Sequence, residues 1–232
     1  MSTLTHKHWQ DVYAKKPVDS LSWTTNRIPA VAQELIGIAK ASAPLKRVVD
    51  LGGGASPFAA ELVRHQTVAE RITVVDVSEN ALAIAKKGLE EQVFSAESPA
   101  LDWVVADVRE FNQNGEYGQY DLVHDRAVYH FLTEKKDRLS YSQMLYQTLR
   151  PGGWLLIGTF ALPDGPLKCS GLNVERYDAD KLKQELNTGY STSTGNEKRY
   201  LELIESRNET HTTPSGAKQK FIYCLFNDKA SM

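Results

Sequence analysis

The sequence predicts an α/β fold, a parallel sheet with helices on both faces that closes on an antiparallel C-terminal hairpin. Three observations carry this expectation. Short apolar, β-branched runs alternate with amphipathic stretches from Arg47 to Phe160, and such alternation builds parallel strands joined by crossover helices. The run Val48-Val49-Asp50-Leu51 ends in three consecutive glycines, Gly52, Gly53 and Gly54, as a strand does before a tight turn and a helix start. Two strand-like runs, Leu201–His211 and Lys218–Phe226, flank Thr213-Pro214-Ser215-Gly216, which reads as an antiparallel hairpin.

The elements follow in order. Thr5–Lys16 carries Trp9, Val12 and Tyr13 at helical spacing, and Pro17 stops it. Ile28–Ala41 reads as a second helix. The alternation then gives strand Arg47–Leu51, helix Phe58–His65, strand Ile72–Val77, helix Glu79–Glu90 and strand Leu101–Asp107. Strand Tyr120–His124, a helix near Lys135–Thr148, a turn at Pro151-Gly152-Gly153 and strand Trp154–Phe160 complete the parallel part. The polar stretch Asn187–Lys198 is the candidate for a long loop.

Composition narrows the function classes. A chain of 232 residues is long enough to bury a full core as one domain. Its net charge of −2 gives no basic field for a nucleic acid. Its apolar runs are too short to cross a bilayer, and Met1-Ser2-Thr3-Leu4 opens no signal pattern. A soluble cytoplasmic protein with no membrane partner is the expectation. Two cysteines, Cys169 and Cys224, are too few for a disulfide framework or a zinc site, so no metal is expected.

In an open α/β sheet, ligands bind beyond the carboxyl ends of the strands. The glycine turn lets backbone approach a ligand, and the helix start offers unpaired N–H groups to a carboxylate or phosphate. Asp50 in that turn argues against a pyrophosphate and for a ligand with a positive group. Asp76 lies 22 positions after Gly54, where an acid meets both ribose hydroxyls. Asp107 is placed to accept from an exocyclic amine, with Val77 and Val108 sandwiching an adenine ring. A lone Asp at a strand end is more often a helix cap, but three at matching places with the glycine turn suit one ligand. An adenosine with a cationic, amino-acid-like tail fits them all, and S-adenosylmethionine (SAM) has that structure. A nicotinamide dinucleotide fits less well, because Pro57 stands where its fingerprint needs a third glycine.

On Val48–Gly54, Val74–Val77, Ala106-Asp107-Val108, Tyr120–Val123 and Leu149-Arg150-Pro151-Gly152-Gly153, the chain resembles the class I SAM-dependent methyltransferases. The resemblance implies a Rossmann-like seven-stranded sheet whose final strand is antiparallel. A closer likeness is to a group of small bacterial-type methyltransferases, carried by His8–Tyr13, Ser22-Trp23, His124–Thr133, Cys169–Leu172, Arg176-Tyr177-Asp178 and His211–Gly216. The Asp125-Arg126 pair is similar to thiopurine-type enzymes, whereas related protein-lysine methyltransferases carry Asp-Lys-Gly there. The resemblance divides the chain into an N-terminal helical lid (1–45), a cofactor-binding core (46–160), a substrate-side insertion (161–200) and the hairpin (201–232). Arg126 and Ala127 depart from the Asp-Lys-Gly pattern, which favours a small-molecule acceptor, and a monomer or weak homodimer is the expectation. A protein side-chain acceptor and a SAM-binding module without turnover are the alternatives.

Methyl transfer is an in-line displacement at an activated methyl, so the protein supplies orientation and, for a hydroxyl or ammonium acceptor, a base. The fourth strand ends beside the methyl group in this fold, which makes His124, Arg126 and His130 the catalytic candidates. His124 contacts the cofactor or takes a proton. Arg126 either anchors an anionic substrate bidentately or bridges to Asp125 or another acid. His130 is a base or a packed helix histidine. Tyr13 and Trp23, with Trp9, are core aromatics or a lid whose ring faces attract a sulfonium. Cys169 is a small lining residue rather than a nucleophile. His211 and Gln219 flank the hairpin turn and are expected to pin it.

Overall fold

The computed structural model describes residues 3–64, 69–90, 98–190 and 198–230. Two helices come first, α1 (Thr3–Lys15) and α2 (Ala30–Ser42), separated by a 3-10 turn at Val18–Ser20. Alternation follows through β1 (Arg47–Leu51), α3 (Phe58–Arg64), β2 (Arg71–Asp76), α4 (Glu79–Glu90) and β3 (Ala100–Val105). Strand β4 (Tyr120–Arg126) passes through a 3-10 turn at Tyr129–Phe131 into α5 (Lys135–Thr148) and β5 (Leu149–Phe160). A short ribbon, β6 (Lys168–Cys169) with β7 (Leu172–Asn173), and α6 (Ala179–Tyr190) precede the hairpin of β8 (Arg199–Thr212) and β9 (Lys218–Ala230).

The seven-stranded sheet has the order β3-β2-β1-β4-β5-β9-β8. The first five strands pair in parallel, and β9 runs antiparallel to both β5 and β8. Side chains alternate between its faces, as strand geometry requires. Val48, Leu122, Leu156 and Tyr223 pack with Leu35 of α2, Phe58 of α3 and Leu82 of α4. Their neighbours Val49, Val123, Leu155 and Cys224 pack with Leu145 of α5 and Leu182 and Leu186 of α6. Both faces are covered, so strand order reverses in the sheet's middle, between β1 and β4, and a crevice opens there.

Four expectations need correction. Strand β3 stops at Val105, so Asp107 stands two residues past the strand. Pro151-Gly152-Gly153 lies inside β5: Tyr120 pairs with Leu149 and Leu122 with Trp154, so Arg150–Gly153 bulge outward. The Gly152 N–H donates to Asp228 (3.0 Å), and Asn227 donates to the Gly152 and Gly153 carbonyls. Asn187–Tyr190 is the last turn of α6 rather than a loop. Its polar Asn187 is a bridge, donating to the Leu201 carbonyl and accepting from the Leu201 N–H. Residues 191–197 of that expected loop, and His65 of the expected helix, lie outside the described residues. The fourth correction is His211, which reaches the N-terminal segment and donates to the Ser22 carbonyl (2.9 Å). The hairpin turn is closed instead by Thr213, which accepts from Gly216 and Ala217. Among the described residues, no helix is long and apolar enough to cross a membrane.

The sheet's antiparallel side is locked by a buried pair. Arg199 Nε donates to both Asp228 oxygens at 2.9 Å, Nη2 donates to the Leu149 carbonyl, and Tyr190 donates to Asp228 (2.8 Å). Removing the acid leaves a guanidinium buried without its counter-charge. Asp228→Ala is therefore expected to lower the unfolding free energy by about 3–5 kcal/mol, read from urea denaturation with an unchanged slope.

Candidate active site

Strands β1, β2 and β4 end side by side, with Asp50 opposite His124 and Val74 in register. The chain leaves β1 through Gly52 (φ +63°) and Gly54 (φ +36°), a left-handed path that favours glycine. The two acids wrap this turn. A Cβ on Gly53 would lie 2.5 Å from Asp50 Oδ2, and one on Gly54 would lie 2.7 Å from Asp76 Oδ2 and 3.1 Å from Tyr13 Oη. A Cβ on Gly52 would meet Val128 Cγ2 at 2.1 Å.

Asp50 Oδ1 lies 2.7 Å from His124 Nδ1, while its Oδ2 is buried with no hydrogen-bond partner. The His124 ring stacks on Phe58 at 3.8 Å between centroids. Asp76 accepts from the Ser78 N–H at 2.8 Å. Burial first, and the nearby charge of Asp50 as well, push its carboxyl up to about 7 against that hydrogen bond. Two buried acids thus face one turn, and this is the arrangement a cationic ligand would relieve.

Asp107 is occupied differently from the expectation of a free acceptor. The Arg109 side chain closes a fork on it, Nη2 to Oδ2 at 2.6 Å and Nε to both oxygens, and reaches Asp137 of α5 with Nη1 at 2.5 Å. Sequence reasoning missed Arg109. The available signal was its place two residues after Asp107 in a turn, where a long side chain can fold back.

Two cavities adjoin along this edge. The larger, about 160 Å³, is lined by Asp76, Val77, Asp107 and Val108 on one side and by Trp9, Phe131 and Cys169 on the other. The smaller, about 40 Å³, is lined by Asp50, Gly53, His124, Thr24 and Phe58. Tyr13, Trp23, Gly52 and Arg126 belong to both. Gly54 lines neither and lies beneath Asp76 and Tyr13. Helix α1 is docked by Gln10, which accepts from the Ser78 hydroxyl (2.9 Å) and the Asn80 N–H. Trp9 meets Trp23 and Phe131 edge-on, and Trp23 donates to the Tyr13 hydroxyl (3.3 Å).

The loop after β4 is set by Asp125, which accepts from Tyr141 Oη (2.7 Å) and from the Val128 and Tyr129 N–H groups. This holds Ala127 at φ +67°, a strained value for a residue with a Cβ. Burial lifts the Asp125 carboxyl to about 6. Asp125 therefore does not bridge to Arg126. Arg126 Nε donates to Tyr223 Oη (2.9 Å), Nη1 donates to the Trp23 carbonyl (2.7 Å), and Nη2 is buried without a partner.

Two sequence candidates change character. His130 has no exposed surface, stacks on Phe160, and lines neither cavity. Burial, with the nearby charge of Arg126, lowers its ring to about 3, which favours a neutral histidine packed inside the fold. Cys169 lines the larger cavity, and burial raises its thiol above the usual range, which keeps it protonated.

The raised Asp76 has a consequence for stability. The unfolded chain releases this proton near pH 4 and the folded chain near 7, so ligand-free stability falls as pH rises across that window. Asp76→Asn removes the cost while keeping an acceptor for Ser78. At pH 8 the ligand-free variant is expected to be more stable than the parent by on the order of 2–4 kcal/mol, with the gap closing at pH 4. Denaturant titrations at the two pH values check this.

Residues 48–153 match the family model described as a methyltransferase domain. Nodulation protein S of Sinorhizobium fredii (strain NBRC 101917 / NGR234) is 24% identical over 126 residues, 54% of this chain and 53% of that protein. The chain spans about half the length of the curated relatives it matches. Among solved structures, the N-methyltransferase NodS from Bradyrhizobium japonicum WM9, in complex with S-adenosylhomocysteine (SAH), aligns with a TM-score of 0.60 at 15% identity, covering 85% of each chain. A SAM-dependent methyltransferase from Anabaena variabilis aligns with a TM-score of 0.70 at 16% identity, over 97% of this chain and 95% of that one. The fold is thus the Rossmann-like one of the class I SAM-dependent methyltransferases, and the glycine turn, its acids and Arg126 lie within the span matched as a methyltransferase domain.

Proposed function

We propose that the protein is a SAM-dependent methyltransferase acting on a small molecule. The observation that carries this reading is the pair of buried acids, Asp50 with one unpartnered oxygen and Asp76 raised to about 7, closing on Gly53 and Gly54. The methyltransferase-domain match supports it, as does the similarity to a protein named an N-methyltransferase.

In this reading Asp50 and the turn of Gly52–Gly54 hold the cationic amino-acid tail of SAM, and Asp76 holds the ribose hydroxyls. Val77 and Val108 flank the adenine. Asp107, steadied by Arg109, keeps lone-pair directions for its amino group. His124 is a positioning residue: its Nδ1 contact fixes the Asp50 carboxylate, and Phe58 fixes the ring. When bound, SAM supplies a methyl group already activated by its sulfonium. The chain supplies alignment, and the Trp9, Tyr13, Trp23 and Phe131 wall keeps water from the site.

Apart from His124 and the ribose-holding Asp76, the lining groups do not offer a ready base. Burial raises the Tyr13 phenol and the Cys169 thiol, and the Asp107 and Asp137 carboxylates are engaged by Arg109, whereas His124 turns only Nδ1 to Asp50 and leaves its buried Nε2 without a partner. The aromatic wall of Trp9, Trp23 and Phe131 over the cofactor cavity favours a small molecule over a protein chain.

Calorimetric titration with SAM is expected to show one site, with Asp76→Ala at least tenfold weaker; equal isotherms would overturn the assignment. Incubation with a cell lysate and methyl-labelled SAM is expected to label the small-molecule fraction, whereas label confined to protein bands would replace the acceptor class. His124→Ala is expected to weaken SAM binding several-fold. His124→Asn, whose amide can still donate to Asp50, is expected to recover part of that loss in the same titration.

A further inference from the structure

Arg126 is the part of the site that the cofactor leaves unexplained. It lies at the end of β4 and walls both cavities. Its two satisfied nitrogens donate to neutral oxygens, the Tyr223 hydroxyl and the Trp23 carbonyl, and its third, Nη2, is buried with no partner. One face of the guanidinium covers the Phe221 ring at 5.1 Å. Among the described residues no carboxylate forms an ion pair with it. Asp125 is spent on Tyr141 and the following loop, and Glu209, which acts on the same Tyr223 hydroxyl and has one buried oxygen without a partner, forms no ion pair with the guanidinium among the described residues. The other cation lining the cavities, Arg109, is held by Asp107 and Asp137.

A partly desolvated guanidinium without a counter-ion favours a ligand that brings the negative charge. Asp50 and Asp76 repel an anion from the cofactor edge, so the charge is directed toward Arg126. Beside it, Trp9, Trp23, Phe131 and Cys169 give the larger cavity an apolar, aromatic lining. We propose that the methyl acceptor is a small carboxylate with a flat, apolar body, and that Arg126 binds its carboxylate. This rests on the methyltransferase reading. The same chemistry is present in the carboxylate of SAM's own tail, and the test separates the two sources.

The probes are benzoate and its uncharged counterpart benzamide, each titrated by calorimetry into protein saturated with SAH. Benzoate is expected to bind at least tenfold more tightly. Arg126→Gln is expected to bring the two affinities together, and Arg126→Lys, which keeps the charge but loses the planar fork, to retain part of the preference. A merely structural Arg126 would lower both affinities alike and leave their ratio unchanged. Equal affinities in the parent, or a preference that survives Arg126→Gln, would overturn the proposal. SAH and 5′-methylthioadenosine, which lacks the amino-acid tail, are titrated in parallel. If Arg126→Gln weakens SAH alone and spares the benzoate preference, the guanidinium serves the cofactor's carboxylate and the proposal falls. If the parent does not bind SAH, the methyltransferase reading itself is what fails.

Discussion

Two carboxylates, Asp50 and Asp76, are buried together where the parallel strands end, and much of the surrounding structure follows from that. Burying like charges near one another is unfavourable unless a cation or a proton compensates. Burial foremost, with a smaller contribution from the Asp50 charge, raises the Asp76 carboxyl to about 7, which favours a proton there. The acids lie so close to the turn that Gly53 and Gly54 have no room for a side chain. Tyr13 closes over the same point from α1, and that helix is held by Gln10 at the start of α4. The site thus stores unfavourable energy in the free state that a ligand's positive charge can release, a trade of stability for binding.

The acids' turn is coupled to a second strained loop. Asp125 gathers Tyr141 and two backbone N–H groups, and so fixes Ala127 in a left-handed conformation. That geometry sends Val128 against Gly52 and Arg126 toward the N-terminal segment, where it meets the Trp23 carbonyl. His211 holds the neighbouring Ser22 carbonyl from β8. The glycine turn, the loop after β4 and the aromatic wall are therefore one connected unit around the reversal of strand order.

Much of the fold was legible because it rests on local patterns. Val48–Leu51 followed by three glycines can form little other than a strand and a turn, and alternation places Val48 and Val49 on opposite faces. The hairpin's reach was not legible. Arg199 and Asp228 look like loop residues, and only their pairing across β8 and β9 makes them interior strand positions. Asn187 misled in the same way, since its amide is satisfied by Leu201, a partner distant in sequence. In the site, spacing revealed Asp50 and Asp76 because strand ends are set by the fold. It could not reveal that Arg109 occupies Asp107, or that His130 faces Phe160 rather than the cavity, because a residue's direction after a strand depends on the loop's dihedral angles.

The proposed reading places the ribose hydroxyls on Asp76, and hydroxyls that donate to both of its oxygens favour the carboxylate, so SAM binding is expected to displace the proton from Asp76. Calorimetry of SAM binding at pH 7, run in buffers of differing ionisation enthalpy, counts that proton. The account predicts that the parent releases about half a proton more per bound SAM than Asp76→Asn does, with the difference vanishing above pH 8. Binding by the parent with the same proton balance as the variant at pH 7 would contradict it.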